Sequence, residues 1–222
     1  LGRTLEQENV DWIQEILREG HPVGNHTYDH VNLWCNRFED LQHRFQRSPW
    51  LIRGNTVPEA IEDNIALAER AMKTRLDALP AGFRTPGGNP RGLLGREDVQ
   101  QMLLGRGYSW VSSMAAVVEV KPENPDESDF QVVVDAQKAS QPFVYPTGLV
   151  EVPMSPLGDV AAFRRKTQKW KLADFLKMVE RCVAWAIDHR AVFDLLGHPS
   201  IMQWEDPKFQ TYELICNMVN QS

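Results

Sequence analysis

Gly20-His21-Pro22-Val23-Gly24-Asn25-His26-Thr27-Tyr28-Asp29-His30 is the stretch from which both the fold and the chemistry of this chain are read. Two imidazoles four residues apart fall one helical turn from each other, so both rings can face one metal ion. The apolar approach, with Gly24 and Asn25, suits a buried strand over residues 22–27 that runs into a tight exit. With six histidines in the chain, the pair is suggestive by itself and no more. Two other segments complete an ordered set: Phe83-Arg84-Thr85-Pro86 and Leu195-Leu196-Gly197-His198-Pro199.

Outward from the histidines, the pattern alternates between strands and helices. Thr4 with Gln7 makes a capping-box pattern ahead of Val10, Ile13 and Leu17, and Gly20 closes it, which predicts a helix over 4–19. Thr56, Pro58 and Glu59 open a second helix whose apolar stripe is Ile61, Ile65, Ala68, Met72 and Leu76. Residues 83–86 read as the next strand, 97–106 as a helix stopped by Gly107, and 108–113 as a strand. Between the His pair and the second helix, Trp34, Cys35, Phe38, Phe45 and Trp50 mark an inserted helical excursion. Residues 121–129 read as an acidic surface loop, followed by short β runs at 131–135, 143–145 and 149–154. A long helix carries Leu172, Phe175, Val179, Cys182, Val183, Ala186 and Ile187. A strand over 191–196 comes next, and a final helix opens at Asp206-Pro207.

Such alternation predicts an α/β fold with a mainly parallel sheet, in which working residues gather where strands end. His26, Arg84, Trp110 and His198 all fall at or near expected strand C-terminal ends. At 222 residues and 42% hydrophobic, the chain can bury a substantial core. A net charge of −6 spread along the sequence argues against a nucleic-acid partner. No run approaches the roughly 20 apolar residues of a membrane-spanning helix. Of the three cysteines, Cys182 and Cys216 fall within apolar helical patterns and read as small core residues. The compartment is left open, and self-association is allowed.

The ordered trio resembles the polysaccharide deacetylases of the NodB-homology type, carbohydrate esterase family 4. His26-Thr27-Tyr28-Asp29-His30 is similar to that family's H-[ST]-x-x-H metal motif, Arg84-Thr85-Pro86 to the start of R-x-P-Y, and Leu196-Gly197-His198 to L-x-H. The lead-in from Gly20 and the run Leu149-Val150-Glu151-Val152-Pro153 are also similar. The resemblance implies a distorted (β/α)7-type barrel formed by residues 1–222 as a single catalytic domain. Its N-terminal strands, together with the T-F-D-D motif that holds the base and the third metal ligand, are expected upstream of Leu1. The family's tyrosine after R-x-P is Gly87 here, and its fourth motif is reduced to Trp110 with no nearby acid.

The activity so implied is metal-dependent removal of N-acetyl groups from a polysaccharide or a small amide. His26 and His30 would be metal ligands, for zinc first and cobalt, manganese or nickel as alternatives. His198 would protonate the leaving nitrogen, and Arg84 would hold the base ionised. Trp110, Pro86 and Leu196 would line the substrate groove. Two alternatives remain: an allantoinase-like hydrolase of cyclic amides, and a non-catalytic carbohydrate-binding relative. H-E-x-x-H chemistry is excluded by Thr27, and Ser109, Ser112 and Ser113 lack a G-x-S-x-G setting. His21, His43 and His189 read as structural or surface residues, and Trp12, Trp170 and Trp185 as packing.

Overall fold

The computed structural model describes residues 2–41, 56–164 and 169–222. His43, Phe45 and Trp50 lie outside the described residues. The chain forms two compact units, Leu1–Ser113 with Val144–Glu151, and Met114–Phe143 with Val152–Ser222.

In the first unit, α1 (Asp11–Arg18) and α2 (Val57–Leu76) precede β1 (Phe83–Asn89), α3 (Glu97–Gly105) and β2 (Trp110–Met114). The expected helix over 4–19 is split. A 3-10 turn covers Gly2–Glu6, and the Asn9 side chain then accepts the Asp11 N–H at 2.7 Å, restarting the chain as α1. Gly20, at φ +85°, ends α1 as read. α2 follows its sequence signal closely. Thr56 and Glu59 form the reciprocal capping box, and Ile61, Ile65, Ala68, Met72 and Leu76 are buried. Residues 22–27 give only one parallel bridge, Asn25 to Phe83, rather than a full strand.

Among the described residues the sheet has four strands in the order β1-β2-β4-β3, with β3 at Phe143–Val144 and β4 at Val150–Glu151. β2 runs parallel to β4, pairing Trp110 with Val150 and Val111 with Glu151. The α/β reading is borne out, and the β2–β4 pair is parallel as expected. Among the described residues the sheet is open, so the closed barrel of the sequence reading is not seen.

The second unit is largely helical: α4 (Glu127–Ala139), α5 (Leu172–His189), α6 (Pro199–Glu205) and α7 (Gln210–Asn220). Its core joins Phe130, Val133, Phe163, Trp170, Phe175, Val179 and Cys182. The expected strand over 131–135 is part of α4. Asp126 and Asp129 form a capping box whose nucleating effect overrides the β preference of Val132-Val133-Val134. The expected strand over 191–196 does not form either. It touches residues 155–159 through Ser155 N–H to Asp194 O at 2.7 Å and Asp159 N–H to Leu196 O at 3.2 Å. Side chains then take the next donors, because Ser155 Oγ accepts the Leu196 N–H and Asp159 accepts the His198 N–H, so no ladder propagates. Cys182 is buried as expected, whereas Cys216 is exposed on α7. Trp12 is half-exposed, and the Trp170 indole donates to Lys121 O within its core.

Candidate functional site

The His26–His30 segment is a loop, not a helical turn. Thr27 and His30 take left-handed backbone angles, φ +59° and +57°, which cost a residue bearing a Cβ about 1–2 kcal/mol. Buried polar side chains hold that shape. Asn25 Oδ1 accepts the Thr27 N–H at 2.8 Å, and Thr27 Oγ1 accepts the Val31 N–H at 3.0 Å. Asn64, projecting from α2, accepts the N–H groups of both Tyr28 and Asp29 at 2.9 Å. The two imidazoles stand with ring centroids 4.9 Å apart, edge to face.

β1 supplies the partner of His26. The His26 Nδ1–H donates to the Arg84 carbonyl at 2.9 Å, which fixes the tautomer and leaves Nε2 with its electron pair. Burial pushes the pKa of this ring down to about 3, against the opposing hydrogen bond to Arg84. The ring is therefore neutral at ordinary pH, as a metal ligand requires. His30 is exposed. A fixed, neutral imidazole whose other nitrogen meets a carbonyl fits a metal ligand. His26 and His30 supply two donors; among the described residues, no group of three His, Cys, Asp or Glu could hold an ion.

Further along β1, Thr85 and Pro86 are buried, and Thr85 Oγ1 donates to Gly87 O at 2.8 Å. Gly87, where the resemblance calls for tyrosine, is exposed at φ +74°. Trp110 opens β2 rather than ending it, so its strand-end placement is corrected. A Cβ at Gly82 would collide with the Trp110 indole, so this ring lies on backbone. β2, β4 and their flanks also enclose Glu151, a fully buried carboxylate. It accepts from Ser113 N at 2.7 Å, Ser113 Oγ at 2.5 Å and the Tyr145 hydroxyl at 2.7 Å.

The second unit carries the other histidine. His198 caps α6, and its Nδ1 meets Asp159 Oδ1 at 2.8 Å while its backbone N–H donates to Asp159 Oδ2 at 2.5 Å. Asp159 is fully buried and also accepts the Val160 N–H at 2.7 Å. The His198 side chain remains 43% exposed. Leu196 is half-buried, and a Cβ at Gly158 would stand 2.7 Å from its carbonyl oxygen.

Sequence reasoning missed Asn64 and Asp159. Asn64 falls in the buried stripe of α2, three residues after Ile61, and an amide there was the available signal. Asp159 is 39 residues from its histidine, and no spacing rule reaches it.

Residues 1–102 match the family model for polysaccharide deacetylases. The resemblance drawn from the motifs at His26 and Arg84 is borne out over that span; His198 lies beyond it. No curated protein matches the chain. A crystal structure from Mycobacterium smegmatis, described as that of a candidate polysaccharide deacetylase, shares the fold with a TM-score of 0.61 at 16% identity. The alignment covers 94% of this chain and 60% of that one, so this chain spans less than two thirds of its neighbour's length.

Proposed function

We propose that residues 1–222 form one catalytic domain that hydrolyses the amide of an N-acetylated carbohydrate or a related small amide with the help of a divalent metal ion. The observation that carries this reading is the His26 imidazole, neutral, fixed through Nδ1 and four residues from a second imidazole at 4.9 Å. His26 and His30 would hold the ion, zinc first, with cobalt, manganese or nickel as alternatives. Such an ion, when bound, lowers the pKa of water and polarises a carbonyl.

Every other part falls to side chains. His198, part-exposed and anchored through Nδ1, protonates the departing nitrogen. Asp159 keeps the proton on Nδ1 and stabilises the ring once it carries a charge. Arg84 contributes its carbonyl to His26, and its guanidinium is assigned to a carboxylate base. Pro86, Trp110 and Leu196 are assigned to the substrate groove. Gly87 favours one variant of this reading, a compact cyclic amide, because no aromatic ring shapes the groove at that position.

The test loads the protein with Zn²⁺ or Co²⁺ and follows acetate release from N-acetylated oligosaccharides alongside ring opening of cyclic amides. Turnover lost in His198→Ala, with the metal still bound, supports the assignment. A folded, metal-loaded protein inert on both substrate classes overturns it.

A further inference from the structure

Behind the His26 loop runs a line of polar groups to which the deacetylation reading gives no task. Arg106, at the C-terminal end of α3, donates from Nε to Glu69 Oε1 at 3.0 Å and from a second nitrogen to Oε2. Glu69, on α2, also accepts the Tyr108 hydroxyl proton at 2.9 Å. The Tyr108 oxygen in turn accepts from Asn25 Nδ2 at 2.8 Å. Asn25 then reaches the loop itself, through Thr27 N–H to Oδ1 at 2.8 Å.

The direction of this line is fixed by proton counting. A guanidinium only donates, so Glu69 must accept; a phenol has one proton, which goes to Glu69, leaving its lone pair for Asn25. The Asn25 amide is thereby oriented with Nδ2 towards Tyr108 and Ile65 O and Oδ1 towards Thr27. The Asn25 carbonyl also accepts the Arg84 N–H at 2.9 Å, and the Arg84 carbonyl is the group that holds His26 Nδ1. Tyr108 and Asn25 are buried, and burial keeps the phenol protonated far above ordinary pH, so the hydroxyl retains the proton it donates to Glu69.

We propose that Arg106, Glu69 and Tyr108 are positioning residues for His26: by orienting Asn25 they fix both neighbours of the ring, Thr27 and the Arg84 carbonyl, and so the tautomer that leaves Nε2 free. The inference rests on the proposed function only in treating Nε2 as a ligand atom.

Tyr108→Phe removes the hydroxyl and keeps the ring, which packs edge to face on Phe83 with centroids 5.5 Å apart. Two readouts are taken: the His26 tautomer from two-bond ¹⁵N–¹H spectra of the metal-free protein, and the Kd for Co²⁺. Wild type should show one Nδ1–H tautomer. Tyr108→Phe should show mixed tautomers and a Kd raised about tenfold, the scale typical of outer-shell changes at metal sites. Val132→Ala, exposed on α4, should change neither. A Tyr108→Phe protein with the wild-type tautomer and Co²⁺ affinity overturns the proposal, whatever its Tm. Should that variant not fold, Glu69→Gln is read by the same two measurements. A wild type that binds no Co²⁺ overturns the metal reading instead, and the tautomer alone then decides the positioning role.

Discussion

His26 and His198 make the same bond to different oxygens. Each engages an oxygen through Nδ1, at 2.9 Å to the Arg84 carbonyl in one case and 2.8 Å to the Asp159 carboxylate in the other. A carbonyl fixes the ring without stabilising a positive charge on it, and burial then keeps His26 neutral down to about pH 3. A carboxylate fixes the ring and also stabilises the charge it acquires on taking up a proton. The first arrangement suits an electron-pair donor and the second a proton carrier. The motif letters do not distinguish them; the atom behind the ring does.

The sharpest way to break this contrast is to remove each ring in turn. His26→Ala should take divalent metal binding below detection in a Co²⁺ titration, while His198→Ala should leave Kd within about twofold. Equal losses would mean that the two rings do not differ as argued. Next, Asp159→Asn should lower acetate release by about a thousandfold with Co²⁺ affinity retained, because an amide favours the wrong tautomer of His198. Steady-state kinetics beside the titration would show this.

Smaller effects probe the supports of the two histidines. Asn64→Ala strips the side-chain acceptor from the Tyr28 N–H and the buried Asp29 N–H of the His26 loop and should cost about 1–2 kcal/mol in urea unfolding. Acidification supplies a further contrast. Between pH 6.5 and about 3, the unfolded chain protonates residue 26 and the folded metal-free chain does not. Stability from this group is therefore full above pH 6.5 and is lost as pH falls. Unfolding of wild type should take up at most about one proton more than that of His26→Gln at pH 4.5, and no more at pH 7.5. Ser155→Ala, which removes only a long 3.3 Å bond to the Leu196 N–H, should cost less than about 1 kcal/mol.

Local signals decided what the sequence could show. The capping box at Thr56 and Glu59 and the apolar stripe behind it specify α2 within one stretch of chain, so it was legible. So was the α/β character of the chain. The strand expected at 131–135 and the one at 191–196 failed because side chains, Asp126 with Asp129 and Ser155 with Asp159, captured backbone donors. In the candidate site, the histidines and Arg84 were named from spacing and resemblance. Their supports, Asn64, Tyr108 and Asp159, act over separations of 35 to 83 residues and are visible only once the chain is folded.

The left-handed backbone at His30 has a practical consequence. Glycine adopts φ +57° freely, so His30→Gly should raise the melting temperature of the metal-free protein. A screen that rewards heat resistance alone would therefore tend to replace this histidine early, yielding sturdier proteins without the second imidazole of the proposed metal site. Any thermostabilisation campaign on this chain needs a simultaneous selection for metal uptake.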